Sequence, residues 1–380
     1  MRCDATQHHA HRGDEGPRVI VDARPITFDH DPELTPGGIL LVPAAEFALE
    51  LGGASKCEPP GPHRGPDAGG EEGFKIFIEA RGHLLRMEPG SRVAYIDGRE
   101  AYLPEAPKLY LKSGEIIAMV PARFVAESLG ARVDWDKETG SMIIMFPESG
   151  LVTGPVVIDA GHGGHDSGAV GTSLGLLEKD INLDVAKRLV HLMTLAGGKP
   201  VATREGDSFV TLKERVELSN SLKGVRAFVS IHCNSHSDKG AAGTETYYYT
   251  AAGRAAAGGA PSGKLLALRI QSELVQELGR VDRGVKGAGF YVLRHTRAPA
   301  ALAELAFISN PDEEELLGKP WSRESAALGL YRGLVAFLNE LQHWPSRCPR
   351  GRGIRGSPRS LLDAGDHPCE IKDLHPAWGP

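Results

Sequence analysis

The chain has 380 residues, 41% of them hydrophobic and 24% charged, and 49 acidic side chains against 43 basic ones leave a formal net charge of −6. That length and apolar content suffice for two domains with cores of their own. The acidic balance speaks against a general nucleic-acid binder, which needs a basic surface to neutralise phosphates. No uninterrupted apolar run approaches the roughly 20 residues of a membrane span, so no integral membrane segment is expected.

Residues 1–17, "MRCDATQHHAHRGDEGP", have no periodicity and no apolar core of signal-peptide length. They read as a disordered tail without a visible export signal. The five cysteines (Cys3, Cys57, Cys233, Cys348, Cys369) are odd in number and never spaced C-x-x-C, which suggests neither a disulfide framework nor a cysteine zinc knuckle.

Residues 18–147 contain one internal repeat: "ILLVPAAEFALELGGA" near residue 40 returns near residue 118 as "IAMVPARFVAESLGA". Val42 and Val120, Pro43 and Pro121, Leu51 and Leu129, Gly52 and Gly130 coincide at one offset. Each copy predicts a short helix with proline in its first turn and glycine at its stop. "RVDWDKETGSMIIMF" then alternates about a "DKETG" turn and predicts a hairpin. The Pro/Gly-rich "CEPPGPHRGPDAGG" (57–70) predicts a loop. Together with "RVAYIDGREAYLPEAPKLYLKSGEIIAMVPARFVAESLGARVDWD", these segments resemble the stalk-like domain named after the N-terminal domain of copper amine oxidases. The resemblance implies a small α+β repeat domain and, with no ligand cluster in view, no copper.

After a linker at 148–154, residues 155–341 alternate strand-like and helix-like segments. In order these are "PVVIDA", "LEKDINLDVAKRLVHLMTLAG", "KPVATR", "TLKERVELSNSL", "RAFVSIHC", "GTETYYYT", "GKLLALRIQSELVQEL", "FYVLR", "PAALAELAFIS" and a terminal helix. That rhythm predicts an α/β domain whose mostly parallel or mixed sheet is flanked by helices, with its chemistry beyond the strand ends. Residues 342–380, which include the arginine-rich "PSRCPRGRGIRGSPR", read as a second disordered tail.

The stretch "VVIDAGHGGHDSGAVG" (156–171) is glycine-rich after a strand, yet it is no nucleotide loop. The Walker Lys-Ser/Thr pair is absent, and Asp166 stands where the dinucleotide motif needs its third glycine. "GTSLG" (171–175) has the nucleophile-elbow spacing but follows no buried strand, which disfavours Ser173 as a nucleophile. Three potential metal ligands sit in equivalent places instead. His162 follows one strand, His232 ends another, and Glu178 opens a helix. Two nitrogens and one carboxylate suit zinc and leave a fourth corner open for catalysis. Singly, each has a bland reading: the histidines as hydrogen-bonded surface residues, Glu178 as a first-turn glutamate favoured by the helix dipole. His165 and His236 offer a rival set, because His162 with His165 and His232 with His236 have chelating spacings. Glycines 161, 163 and 164 are read as room for backbone, metal and a bulky substrate to come close. Cys233, next to His232 on an extended strand, should face the opposite side and lie in the core. Glu304, inside the apolar "PAALAELAFISNPDEE", is costly to bury unless it belongs to a site, though an edge-strand glutamate facing water would also fit.

The motifs "VVIDAGHGGHDSGAVG", "LEKDINLDVAKRL", "TREGDSFVTLKERVELSN", "FVSIHCNSHSD", "GTETYYY" and "ALAELAFISN" follow one another as in zinc-dependent N-acetylmuramoyl-L-alanine amidases of the Amidase_3 type, and the resemblance spans residues 155–341. It implies His162, Glu178 and His232 as zinc ligands, Glu304 as the catalytic glutamate, peptidoglycan as the substrate, and a place in the cell envelope or outside the cell. Asn182, one helical turn after Glu178, and Arg215 also match motif positions. Asn182 is expected to orient its ligand and Arg215 to brace structure or bind substrate. Two other readings remain at this level: a catalytically inactive wall-binding or regulatory module, and a zinc peptidase of the stem peptide.

Overall fold

A computed structural model of the protein describes residues 16–60, 73–112, 114–147, 151, 154–250 and 263–343. Nearly all of the amino-terminal tail, most of the 57–70 loop, the 251–262 segment and the arginine-rich stretch lie outside these residues.

The amino-terminal lobe is largely β. Its strands are β1 (Arg18–Val21), β2 (Arg24–Ile26), β3 (Glu33–Leu34), β4 (Leu40–Pro43), β5 (Gly53–Glu58), β6 (Lys75–Ala80), β7 (His83–Met87), β8 (Val93–Ile96), β9 (Arg99–Tyr102), β10 (Lys108–Lys112), β11 (Glu115–Pro121), β12 (Arg132–Asp136) and β13 (Ser141–Met145). Two helices, α1 (Ala44–Glu50) and α2 (Ala122–Ser128), interrupt them. The strands form three sheets in the orders β12-β13-β1-β2, β10-β11-β4-β3 and β5-β6-β7-β8-β9.

The repeat is a structural one. β4 and β11 pair antiparallel with Val42 opposite Val120, so the two copies meet at their equivalent residues. Pro43 and Pro121 stand at the N-caps, one position earlier than expected, because the chain is still extended there and a proline needs no N–H donor. Each helix stops at a leucine followed by a left-handed glycine, Gly52 at φ 79° and Gly130 at φ 89°, a conformation that glycine adopts without a Cβ penalty. The expected hairpin is β12 with β13.

The second lobe holds strands β14 (Pro155–Ala160), β15 (Lys199–Ala202), β16 (Ala227–Asn234), β17 (Thr244–Tyr248), β18 (Asp282–Gly287) and β19 (Ala300–Phe307), with helices α3 (Glu178–Leu195), α4 (Leu212–Ser221), α5 (Gly263–Leu278), α6 (Tyr291–His295), α7 (Pro311–Gly318) and α8 (Pro320–His343). The sheet order is β15-β14-β16-β19-β17-β18. It is mixed: β14, β15, β16 and β19 run parallel, and β17 meets β19 antiparallel. Two segments depart from the sequence reading. "FYVLR" contributes to the short helix α6, and the strand at this edge is the polar "DRGVKG" of β18. An edge strand with one unpaired side needs no apolar alternation, so its sequence carries no strand signal.

The central strands are buried on both faces. Val156, Ile158 and Ala160 of β14 join Val229, Ile231 and Cys233 of β16 and Ala301, Ala303 and Leu305 of β19 under α3, α5 and α8. On α3, Ile181, Val185, Leu189 and Leu192 recur at helical spacing and supply the matching stripe. On the other face Val157, Phe228, Ala300 and Leu302 pack with Val216 of α4 and Val292 and Leu293 of α6. These two short helices cover only part of that face.

The two lobes share a core. Ile20, Ala23, Ile143 and Met145 of the first lobe belong to the same buried cluster as Leu189, Leu192 and Leu328 of the second. Polar contacts rim it: Arg18 donates to Glu324 at 2.7 Å, Arg323 to Glu138 at 3.1 Å, and Arg188 to Asp136.

Candidate active site

On the partly covered face of the sheet, alternation places Ser230, His232 and Asn234 of β16 on one side while Cys233 turns into the core, 3% exposed. β16 runs parallel to β14, so the turn after Ala160 brings the His162 loop beside the end of β16. α3 begins in the same place with Glu178, whose first turn carries no side-chain cap and favours a carboxylate near the helix dipole.

One ligand atom each from His162, Glu178 and His232 lies within 4.8 Å of the others, and this is the metal-capable group found among the described residues. Glu178 Oε1 is 3.2 Å from His162 Nε2 and 2.9 Å from His232 Nδ1, and it accepts the backbone N–H of Cys233 at 3.1 Å. Glu178 Oε2 accepts the N–H of Ala169 at 2.8 Å. Asn182 lies one turn along α3, and its Nδ2 donates to Glu178 Oε1 at 3.3 Å and to the carbonyl of Gly161 at 3.4 Å. His162 Nδ1 contacts Asp166 Oδ2 at 2.9 Å, which frees Nε2 to act as the electron-pair donor. Nothing in the spacing reading singled out Asp166 for this role; its position four residues after His162 was the available signal.

Arg215 holds the strand end together. Its Nη1 donates to Asp159 Oδ1 and to the carbonyl of Ala160, both at 2.6 Å, and Nη2 donates to the carbonyl of His162 at 2.8 Å. It is 3% exposed and spends these donors on the chain itself. Arg204, which the sequence reading passed over, adds bonds to the carbonyls of Ala160, Gly161 and Lys179. His162 sits at φ 61°, a costly conformation for a non-glycine residue that these bonds hold in place.

The glycines serve this packing more than access for a substrate. A Cβ on Gly161 would enter the His232 ring, and one on Gly168 would come within 2.5 Å of Glu178 Oε2 and 2.7 Å of the His162 ring. Gly163 and Gly164 instead admit the 208–209 backbone, with Phe209 N 2.8 Å from where a Gly164 Cβ would sit. The rival histidines do not converge. His165 stacks on Phe209 at 4.1 Å, and the His236 backbone N–H donates to Ser309 Oγ. Ser173 lies in a turn whose backbone N–H donates to Glu314.

Glu304 lies opposite His232 in the β16–β19 register and opposite Glu245 in the β17–β19 register. Its Oε2 is sealed from solvent with no hydrogen-bond partner, although part of the residue is open to water. Burial pushes the Glu304 carboxyl up to about 7, against the pull of His232. Such a group exchanges a proton near neutral pH. In the cluster itself burial disfavours charge on both groups, but their mutual hydrogen bonds prevail: Glu178 is held far below the usual carboxylate range and His162 is raised to about 9. Two nitrogens, one carboxylate and glycines that leave no room for further side chains fit a small ion bound by three protein ligands.

A His-Glu-His group compatible with a metal site, with Glu304 opposite His232 in the strand register, thus lies at the end of a mixed α/β sheet. Residues 156–336 match the model of the N-acetylmuramoyl-L-alanine amidase family, and residues 70–144 match the copper amine oxidase N-terminal domain. The germination-specific N-acetylmuramoyl-L-alanine amidase of Bacillus subtilis is 32% identical over 210 residues, 51% of this chain and 83% of that protein. The uncharacterised Bacillus subtilis protein YqiI is 42% identical over 185 residues, 49% of this chain and 85% of that protein. The chain belongs to the N-acetylmuramoyl-L-alanine amidase family. LytC of Bacillus subtilis, an amidase of the same name, is 40% identical over 182 residues, 48% of this chain but only 35% of LytC's length. Among the described residues no helix is long and apolar enough to cross a membrane.

Proposed function

We propose that this chain hydrolyses the amide between N-acetylmuramic acid and L-alanine in peptidoglycan, with zinc held by His162, Glu178 and His232, and that it acts in the cell envelope or outside the cell. The observation that carries the reading is the convergence of three donor atoms within 4.8 Å beside Glu304, whose buried Oε2 has no other partner. A zinc ion bound there would polarise the scissile carbonyl and acidify water. Glu304 Oε2 accepts the proton of the attacking water and returns it to the alanine nitrogen as the bond breaks. Asn182 keeps Glu178 turned toward the histidines, and Arg215 fixes the backbone that carries His162. Residues 155–341 form the catalytic domain in this reading, and residues 18–147 a domain for attachment or localisation.

Digestion of purified peptidoglycan tests it. The expected products are stem peptides with new N-terminal L-alanine and glycan strands with no added reducing ends, since no carboxylate pair for glycoside cleavage is involved. Another new amino terminus would replace this reading with a stem peptidase, and a wall bound but unchanged would replace it with an inactive binding module.

A further inference from the structure

The site face of the sheet carries a continuous row of polar side chains. His232 on β16 faces Glu304 on β19, and Glu304 faces Glu245 on β17. Beyond Glu245 lies the edge strand β18, where Arg283 Nε donates to Glu245 Oε2 at 2.9 Å and Lys286 forms an ion pair with the same oxygen. Glu245 Oε1 accepts from Asn234 at 2.6 Å and from the Tyr247 hydroxyl at 2.5 Å. Glu245 is thus fully engaged and 2% exposed. The charges above it are not. The side chains of Arg283 and Lys286 are 35% and 40% exposed. Two cations share one carboxylate; Arg283 adds a bond from Nη1 to the carbonyl of Ala242 and lies over the Phe307 ring, 4.8 Å from its centroid. Among the described residues its Nη2 has no hydrogen-bond partner, and Lys286 has N–H donors to spare.

The row also has a direction. The proposed hydrolysis puts the scissile carbonyl against the cluster and the leaving nitrogen against Glu304. A peptide that continued past that nitrogen in the direction from His232 through Glu304 would run over β17 to β18. We propose that Arg283 and Lys286, anchored by Glu245, form a subsite for a carboxylate of the leaving peptide, on the residue that follows its L-alanine. An arginine fork and a lysine ammonium held by a buried acid are pre-oriented for such a group, so little side-chain freedom is lost on binding. Glu245 is a positioning residue, and the two cations set specificity. The inference rests on the hydrolase reading only for which way the substrate lies.

The test is binding of two product-like dipeptides to the full chain by titration calorimetry: L-alanyl-glutamate with one carboxyl amidated and the other free, and the same peptide with both carboxyls amidated. The free carboxylate should bind roughly 10-fold or more tightly, the scale of a charge-assisted hydrogen bond. Arg283→Gln and Lys286→Met should each remove most of that preference while leaving the amidated peptide's affinity unchanged, and Arg283→Lys should restore part of it. Lys286 stands on the exposed edge, so Lys286→Met keeps a folded protein should Arg283→Gln fail to fold. Equal affinity for the two dipeptides, or variants that weaken both equally, would overturn the subsite. Turnover of muramoyl peptides is measured separately. A chain that shows the carboxylate preference but cleaves nothing loses the hydrolase reading and keeps the subsite, and one that cleaves muramoyl peptides but binds the two dipeptides equally does the reverse.

Discussion

His232 and Glu304 occupy opposed positions on adjacent parallel strands, so the proposed base and a proposed metal ligand are carried by one rigid piece of sheet. Their separation is set by strand pairing and not by a loop, which is the kind of support that keeps a catalytic geometry within tolerance. Glu304→Gln nearly preserves shape but cannot accept a proton. The variant should keep its fold and its metal while turnover falls by about 10²- to 10⁴-fold. Assay of muropeptide hydrolysis beside metal content checks this, and a rate near wild type would remove Glu304 from the mechanism.

Metal content separates the two histidine sets. His162→Ala or His232→Ala should abolish binding of about one zinc per chain. The double change His165→Ala with His236→Ala should leave zinc in place, since these side chains face Phe209 and the 236–238 turn. Elemental analysis of the purified variants decides, and the opposite pattern would overturn the ligand assignment.

Two glycines packed against the proposed ligand side chains should behave like ligands. Gly161→Ala puts a methyl into the His232 ring, and Gly168→Ala puts one against Glu178 and His162. Gly168 is also at φ 64°, where an alanine is strained. Both variants should lose metal or bind it at least about 10-fold more weakly. Gly206→Ala, with open space around it, is the control and should bind normally.

Metal affinity should climb with pH. His162 must shed its proton to bind, and in the metal-free protein it keeps that proton to about pH 9. Affinity measured by chelator competition should therefore rise about tenfold per pH unit below that point and then level. Folding stability of the metal-free protein has the opposite dependence on this residue. A raised histidine contributes fully below its ordinary value of 6.5 and loses that contribution as pH rises through about 9. Glu178, held low, contributes above 4.5 and loses it as pH falls toward its folded value. Thermal melts of the apoprotein should thus show this pair contributing most between those limits, pH 4.5 and 6.5. A melting temperature still rising toward pH 9 would contradict it.

The lobe interface should affect stability without affecting chemistry. Arg18→Ala leaves Glu324, 3% exposed, with only Thr139 and Ser141 as donors among the described residues, at 2.7 and 3.0 Å. Loss of one charged hydrogen bond at a buried carboxylate costs about 1–3 kcal/mol and should lower the melting temperature without changing zinc content. A fragment of residues 150–345 should hydrolyse soluble muropeptides and engage intact sacculi less well. It should also melt earlier than the full chain, because it uncovers the apolar surface that Ile20, Ile143 and Met145 now bury. A folded fragment without zinc would show the catalytic domain to be drawn wrongly.

The sequence by itself determined what is local. Residue types and spacing carry the strand and helix rhythm of 155–341, the two capped helices of the repeat, and the candidates His162, Glu178, His232 and Glu304, because periodicity, caps and donor chemistry are written within a few residues of one another. The tertiary structure decided what depends on partners far along the chain. Only strand pairing shows that Glu304 stands between His232 and Glu245, that polar "DRGVKG" is a strand at all, and that Arg283 and Lys286 end the same row. Only packing shows that Gly161 and Gly168 make room for the side chains of His232, His162 and Glu178, that Gly163 and Gly164 admit the 208–209 backbone, and that Ile20 and Ile143 enter the core of the second lobe. Register and interior contacts are set by the sum of many weak non-local interactions, and no single window of sequence contains them.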